Sequence, residues 1–295
     1  MLVAIVAAFI FSLREVVNKF SISNLMRPFS WFYLFTAINV IAFPIISWMM
    51  TPMVFPSAQS WILLLVSSTA AVVGGLVFIY ALSIGDMTTG NPVLATRSIF
   101  VVPLSFIFLG EFYGFGVVGW ILLIVFGAVL TSWNEKTKAG NFFRNKAFVL
   151  FILATLIYAV MSVSSKPVLQ ELNSINYVGW WNIAQIPSLL ILMPLVLKKN
   201  EISSLKKKWK PAFPYAILES SLLYAGTLGM FFALSFSVSL SEALIATQGL
   251  FAVVIGLIIT RINPKIISEK HSMKIYLIRL VGAALILAGA YNILV

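Results

Sequence analysis

Cysteine is missing from this chain and histidine occurs once, at His271, so disulfides, the usual zinc ligand sets and Cys or His nucleophiles are excluded from the outset. Charge is also scarce: 10% of the 295 residues are Asp, Glu, Lys or Arg, and only nine of those are acidic. No stretch sets basic residues among stacking aromatics on a soluble face, so the net charge of +11 does not point to nucleic acid. The loops hold scattered acids and no spaced nucleophile–base cluster, which speaks against an enzyme; no cofactor and no metal are expected.

What remains is apolar. With 61% hydrophobic residues and a mean hydropathy of +1.02, the chain reads as an all-α polytopic membrane protein. Ten apolar segments have the length that a hydrocarbon core of ~30 Å needs. They fall at about 2–23, 30–50, 61–83, 93–110, up to 133, from 147, around 180–197, 212–236, 240–260 and 274–294. The first lacks a basic leader and a small-residue cleavage site, and is expected to be retained.

The ten segments come in two sets. Ala7, Phe11, Val16, Asn18 and Lys19 are answered by Ala154, Tyr158, Val163, Ser165 and Lys166 at a constant offset of 147. Trp31 and Pro44 are answered by Trp180 and Pro194, and Ala81-Leu82-Ser83 by Ala233-Leu234-Ser235. The order Ala-Thr-polar-small-aliphatic-Phe at 95–100 returns at 246–251. Several such matches in one order predict a duplication, with a first five-helix repeat at 1–134, a cytoplasmic linker at 135–146 and a second repeat at 147–295.

Five spans per repeat is an odd number, so the second repeat enters the membrane from the opposite side and the repeats are inverted. The loops after spans one, three, five, seven and nine hold fifteen Lys and Arg residues, while the other loops and both termini hold none. By the positive-inside rule both termini lie outside.

Five basic residues are left within spans: Arg14, Lys19, Arg97, Lys166 and Arg279. Arg279 lies a turn inside the last span and is expected to snorkel to the surface. Arg14 and Arg97 lie nine or ten residues from a predicted cytoplasmic end, roughly 14 Å deep at 1.5 Å per residue. A charge at that depth is costly and marks a functional site by default. Three acids, Glu15, Glu219 and Glu242, lie within spans as well. The candidate substrate site is therefore Arg14, Arg97 and Gln248, with Asn18, Glu15 and Glu219 beside them. A guanidinium fork suits a carboxylate or phosphate. Glu15 and Lys19 are four apart and suit an internal pair. Lys19 and Lys166, at equivalent places in inverted repeats, are candidate gates that would bond carbonyls at helix C-termini.

The lysine closing spans one and six, the Phe-Leu-Gly-Glu at 108–111 and the glycine-bearing fifth and tenth spans together resemble the drug/metabolite transporter superfamily, in its EamA-type branch. The resemblance covers essentially the whole chain. It implies a secondary carrier of small organic metabolites in the plasma membrane, often an exporter of amino acids, working by alternating access. Relatives that handle sugar phosphates or nucleotide sugars make an exchanger of those the alternative, and a protein acting on lipid headgroups is a more distant one. The family pattern implies cytosolic termini, whereas the charges of this chain imply external ones. The expected partners are a small-molecule solute and the lipid bilayer; a homo-oligomer is left open.

Overall fold

The computed structural model describes residues 2–85, 93–94, 96–131, 146–262 and 273–294. The predicted turn at 86–92, His271 and all but the last residue of the predicted linker lie outside the described residues. Within them the chain is helical, with no strand: α1 (Leu2–Asn24), α2 (Pro28–Met50), α3 (Ala58–Ile84), α4 (Arg97–Leu109), α5 (Phe115–Thr131), α6 (Lys146–Glu171), α7 (Ser174–Ala184), α8 (Ile186–Val196), α9 (Lys199–Leu234), α10 (Val238–Ile245), α11 (Gln248–Ile262) and α12 (Met273–Leu294).

Helix boundaries follow local chemistry. Pro28 opens α2, where its missing N–H costs nothing. Ser57, Asn173 and Ser237 precede α3, α7 and α10, and each side chain accepts the backbone N–H three residues on. α7 stops at Gln185 because Pro187 cannot donate to the carbonyl one turn back. α9 departs from expectation. Its lysine-rich start was read as loop with the span beginning at 212, but helix runs unbroken from Lys199 through Pro211 and Pro214 to Leu234. Lysine is a good helix former, and carbonyls freed by the two prolines lie where water can reach them.

Among the described residues six helices are long and apolar enough to cross a membrane: α2, α3, α6, α9 and the two interrupted runs Ser174–Val196 and Val238–Gly256. α4, α5 and Leu277–Asn292 are apolar but shorter. α1 has 23 residues and carries Arg14, Glu15 and Lys19. The outward faces are apolar, with Met49, Ile62, Leu190, Ile191, Leu195 and Leu280 more than half exposed, while Ser12, Asn18, Ser67 and Ser165 are buried. That is the reverse of a water-soluble domain and the arrangement a lipid solvent selects. The chain is an integral membrane protein by this measure.

α3 packs along α6, α1 along α9, and α2 against α7 and α9; α4 lies on α6, α11 on α1, and α5 pairs with α12. The last pair is the tightest. A Cβ on Gly127 would stand 2.6 Å from the carbonyl of Gly282, and one on Gly282 2.5 Å from the carbonyl of Gly127. Only glycine permits that approach, which compensates for the absence of a hydrophobic drive between helices in lipid. Gly119, expected to pack likewise, faces open space.

Candidate functional site

Two helix interruptions place the central polar residues. The chain turns at Thr96, with α4 beginning at Arg97, and again at Thr247, with α11 beginning at Gln248. The two turns are built alike. The Thr96 N–H and hydroxyl both donate to the Val93 carbonyl at 3.0 and 2.7 Å, and those of Thr247 to the Leu244 carbonyl at 3.1 and 2.7 Å. A threonine that takes up the freed carbonyl lets a helix break inside the bundle at little cost. Thr96 and Thr247 are therefore built break points, each delivering the polar residue that follows it to the first turn of a helix.

Arg97 and Gln248 face one cavity of about 110 Å³, which Arg14 and Glu15 of α1 also line. A single water needs about one-eighth of that space, so the cavity suits a small organic solute. Its walls include Phe11, Phe32, Phe35, Phe78, Tyr158 and Trp181. Three of these rings rest on glycines, among them Phe32, which a Cβ on Gly75 would approach to 2.6 Å. A Cβ on Gly226 would stand 2.5 Å from Phe11 and one on Gly74 3.1 Å from Tyr158. Phe11 and Tyr158 are two of the positions matched at the offset of 147.

Neither arginine is free. Arg14 donates from Nε to Glu219 at 2.7 Å and its Nη1 lies 3.4 Å from Glu15, with Cζ 5.8 Å from the ring centre of Phe35. Arg97 pairs through Nη2 with Glu242 at 2.5 Å, and its Cζ lies 5.9 Å from the ring centre of Tyr158. Glu242 also accepts the Ser162 hydroxyl at 2.5 Å. Two guanidiniums thus meet three carboxylates, two of which come from α9 and α10. The second oxygens of Glu15 and Glu219 and the Nε of Arg97 are buried without a hydrogen bond, which leaves capacity for a guest.

A second, uncharged pole lines the same cavity: Asn39 of α2, Asn182 of α7 and Gln185 at the α7–α8 break. Gln185 donates to Asn182 at 3.3 Å, while the Asn39 carbonyl oxygen is buried with no partner. The Pro187 that ends α7 is what puts Gln185 there.

The structure brings together Arg14, Glu15, Arg97 and Gln248, with Glu219 behind Arg14. Asn18 is elsewhere: it is fully buried, accepts the Trp31 indole N–H at 2.8 Å and does not line the cavity. Glu15 and Lys19 do not pair with each other; Arg14 holds the acid. Arg279 is 2% exposed, so it is buried where snorkelling was expected. Glu242 and the amide pole were not assigned to the site from sequence, although Glu242 and Asn39 stand out as polar residues within spans.

Lys19 donates to the carbonyls of Leu82 at 3.0 Å and Gly85 at 2.7 Å, where α3 ends. Lys166 donates to the carbonyl of Ser235 at 2.5 Å, where α9 ends. Equivalent lysines thus meet equivalent Ala-Leu-Ser segments, and cations are favoured at helix C-termini. Glu111, which ends the Phe-Leu-Gly-Glu motif, does the converse. Its carboxylate accepts the Val238 N–H at 3.1 Å at the start of α10 and the Tyr113 hydroxyl at 2.7 Å. Burial first, then the neighbouring carboxylate, pushes the Tyr113 phenol up to about 12 and keeps it a donor.

No family model and no curated protein matches the chain. Among 28 matching chains of solved structures, one described only as "Crystal structure of protein" superimposes with a TM-score of 0.68 at 16% identity, over 98% of this chain and 95% of that one. At that identity the likeness is one of fold.

Proposed function

We propose that this protein is a secondary carrier of small amino-acid-like solutes in the plasma membrane, built from two inverted five-helix repeats and working by alternating access. The observation that carries the reading is the cavity to which two interrupted helices bring Arg97 and Gln248, with two arginines already paired to buried carboxylates. Pairing by pseudo-symmetry supports the duplication: α1 on α9 mirrors α6 on α3, and α11 on α1 mirrors α4 on α6. Discontinuous helices meeting at mid-membrane are how inverted-repeat transporters form their sites. The loop charges place the termini outside, and the resemblance to EamA-type transporters points to the same class of carrier.

The ion pairs favour a zwitterion over a phosphate. The five groups sum to a formal charge of −1, and a sugar phosphate would deepen it in a site of low dielectric. A zwitterion exchanges partners instead: its carboxylate takes an arginine while its ammonium takes the released glutamate, so no buried charge is left alone. The amide pole then meets the neutral polar end of the solute. Purified protein in proteoliposomes is expected to move a labelled neutral amino acid down its gradient. Absence of flux across a panel of amino acids and sugar phosphates, with a lipid headgroup chemically altered instead, would overturn the carrier reading.

A further inference from the structure

A second cavity, of about 600 Å³, lies at one end of the bundle, between the α1–α2 connection and the first turns of α9. Its charged lining is all of one sign: Arg27, Lys207 and Lys208, with Ser203, Ser204 and Asn200 supplying neutral hydrogen-bonding groups. No acid lines it. The nearest acid on the same helix, Glu201, is turned inward, where it accepts the Ser30 N–H at 2.8 Å and hydroxyl at 2.5 Å. That bond caps α2, so the cavity's attraction for an anion resides in side chains and not in a free helix end. Ser204 is fixed by accepting the Arg27 N–H at 3.2 Å, which ties the two walls together.

The depth of this cavity is set by its neighbours. Trp209 and Phe213 follow on α9, in edge-to-face contact with ring centres 6.3 Å apart, and both are more than 40% exposed. Aromatic rings at the end of an apolar span mark the level of lipid headgroups. Lys207 and Lys208 lie just beyond them, at the height of the phosphates. Basic pockets between spans on the cytoplasmic side are suited to anionic headgroups, and the lining is apolar toward the bundle at Ile22 and Met26, as acyl chains require.

We infer that this cavity is a binding site for the phosphate of an anionic phospholipid headgroup, gripped by Arg27, Lys207 and Lys208. It rests on the membrane reading alone and stands whether or not the central cavity carries a solute. The test is native mass spectrometry of the full chain in mixed micelles of phosphatidylglycerol and phosphatidylcholine. Wild-type protein retains phosphatidylglycerol in preference, and the triple variant R27Q/K207Q/K208Q loses that preference. Lys207→Gln alone weakens it about fivefold, the worth of one basic residue near a charged surface. The control K198Q/K206Q/K210Q removes as many charges from the same stretch outside the cavity and keeps the preference. Equal loss in both triple variants means diffuse attraction and overturns the site, as does no loss in either. Displacement of the lipid by millimolar inorganic phosphate also overturns it, because the site would then belong to a soluble anion.

Discussion

Removing Lys19 or Lys166 should open opposite ends of the central cavity. Lys19 makes two bonds to the end of α3 and Lys166 one to the end of α9, at 2.5 to 3.0 Å. A charge-assisted hydrogen bond contributes about 1.5–3 kcal/mol, and part of this is recovered by water once the mouth opens. A loss of about 1–2 kcal/mol on the closed side is therefore expected, and 1.4 kcal/mol corresponds to a tenfold change in population. Methionine keeps most of the volume of either lysine while removing the donor. The chain has no native cysteine, so a single reporter is clean. Thr36→Cys is suitable because the residue lines the cavity, is 3% exposed and bonds only within its own helix. An impermeant thiol reagent is then added from one side of oriented vesicles. Lys19→Met should raise labelling from the α3-end side about tenfold, and Lys166→Met labelling from the other side. If both variants raise labelling from the same side, or neither changes it, the lysines are not latches.

Three further outcomes follow from the same geometry. Glu242→Gln removes the carboxylate from Arg97, and losing one partner of a buried pair costs about 3–5 kcal/mol; the melting temperature in detergent should fall sharply, and Arg97→Gln in the same chain should recover part of the loss. Gly226→Ala sets a methyl group 2.5 Å from Phe11, so the ring must move into the cavity; solute affinity measured by thermal shift should drop at least tenfold, while an unchanged value would mean that the ring does not bound the site. Arg97→Lys keeps the charge but loses the planar fork, so flux in proteoliposomes should fall well below wild type at normal protein levels, and Arg97→Ala should abolish it.

The parts of the site legible in the sequence are those that violate membrane composition. Arg14 and Arg97 stand out because a charge at mid-span is rare, and Lys19 and Lys166, which both bond carbonyls at helix ends, stand out because they fall in one register. Asn182 and Gln185 carry no such signal. A buried amide within a span looks the same whether it bonds its own helix or faces a cavity, and only the break before Pro187 decides. Glu242 was visible as a buried acid, but its pairing with Arg97 depends on how α4 and α10 approach, which no local pattern encodes. Asn18 has the right depth, yet the Trp31 indole claims it, since a helix position fixes a residue's height and not which neighbour occupies its face. The lysine run of α9 was misread because charge was taken as a loop signal, although helices project beyond the bilayer freely.

The ion pairs that cross between repeats bear on how the protein is made. Ribosomes deliver α1 and α4 first, with Arg14 and Arg97 in them and, of the three carboxylates these meet, only Glu15. Glu219 and Glu242 arrive with the eighth and ninth spans, so Arg97 must wait in or beside the bilayer until most of the chain has been synthesised. Integration of α1 and α4 is thus completed late, after their partners emerge, and a nascent chain arrested before α9 would hold them only loosely. Residues 147–295 expressed alone would carry Glu219 and Glu242 without Arg14 or Arg97. The buried pairs Arg14–Glu219 and Arg97–Glu242 can form only once α9 and α10 have joined α1 and α4.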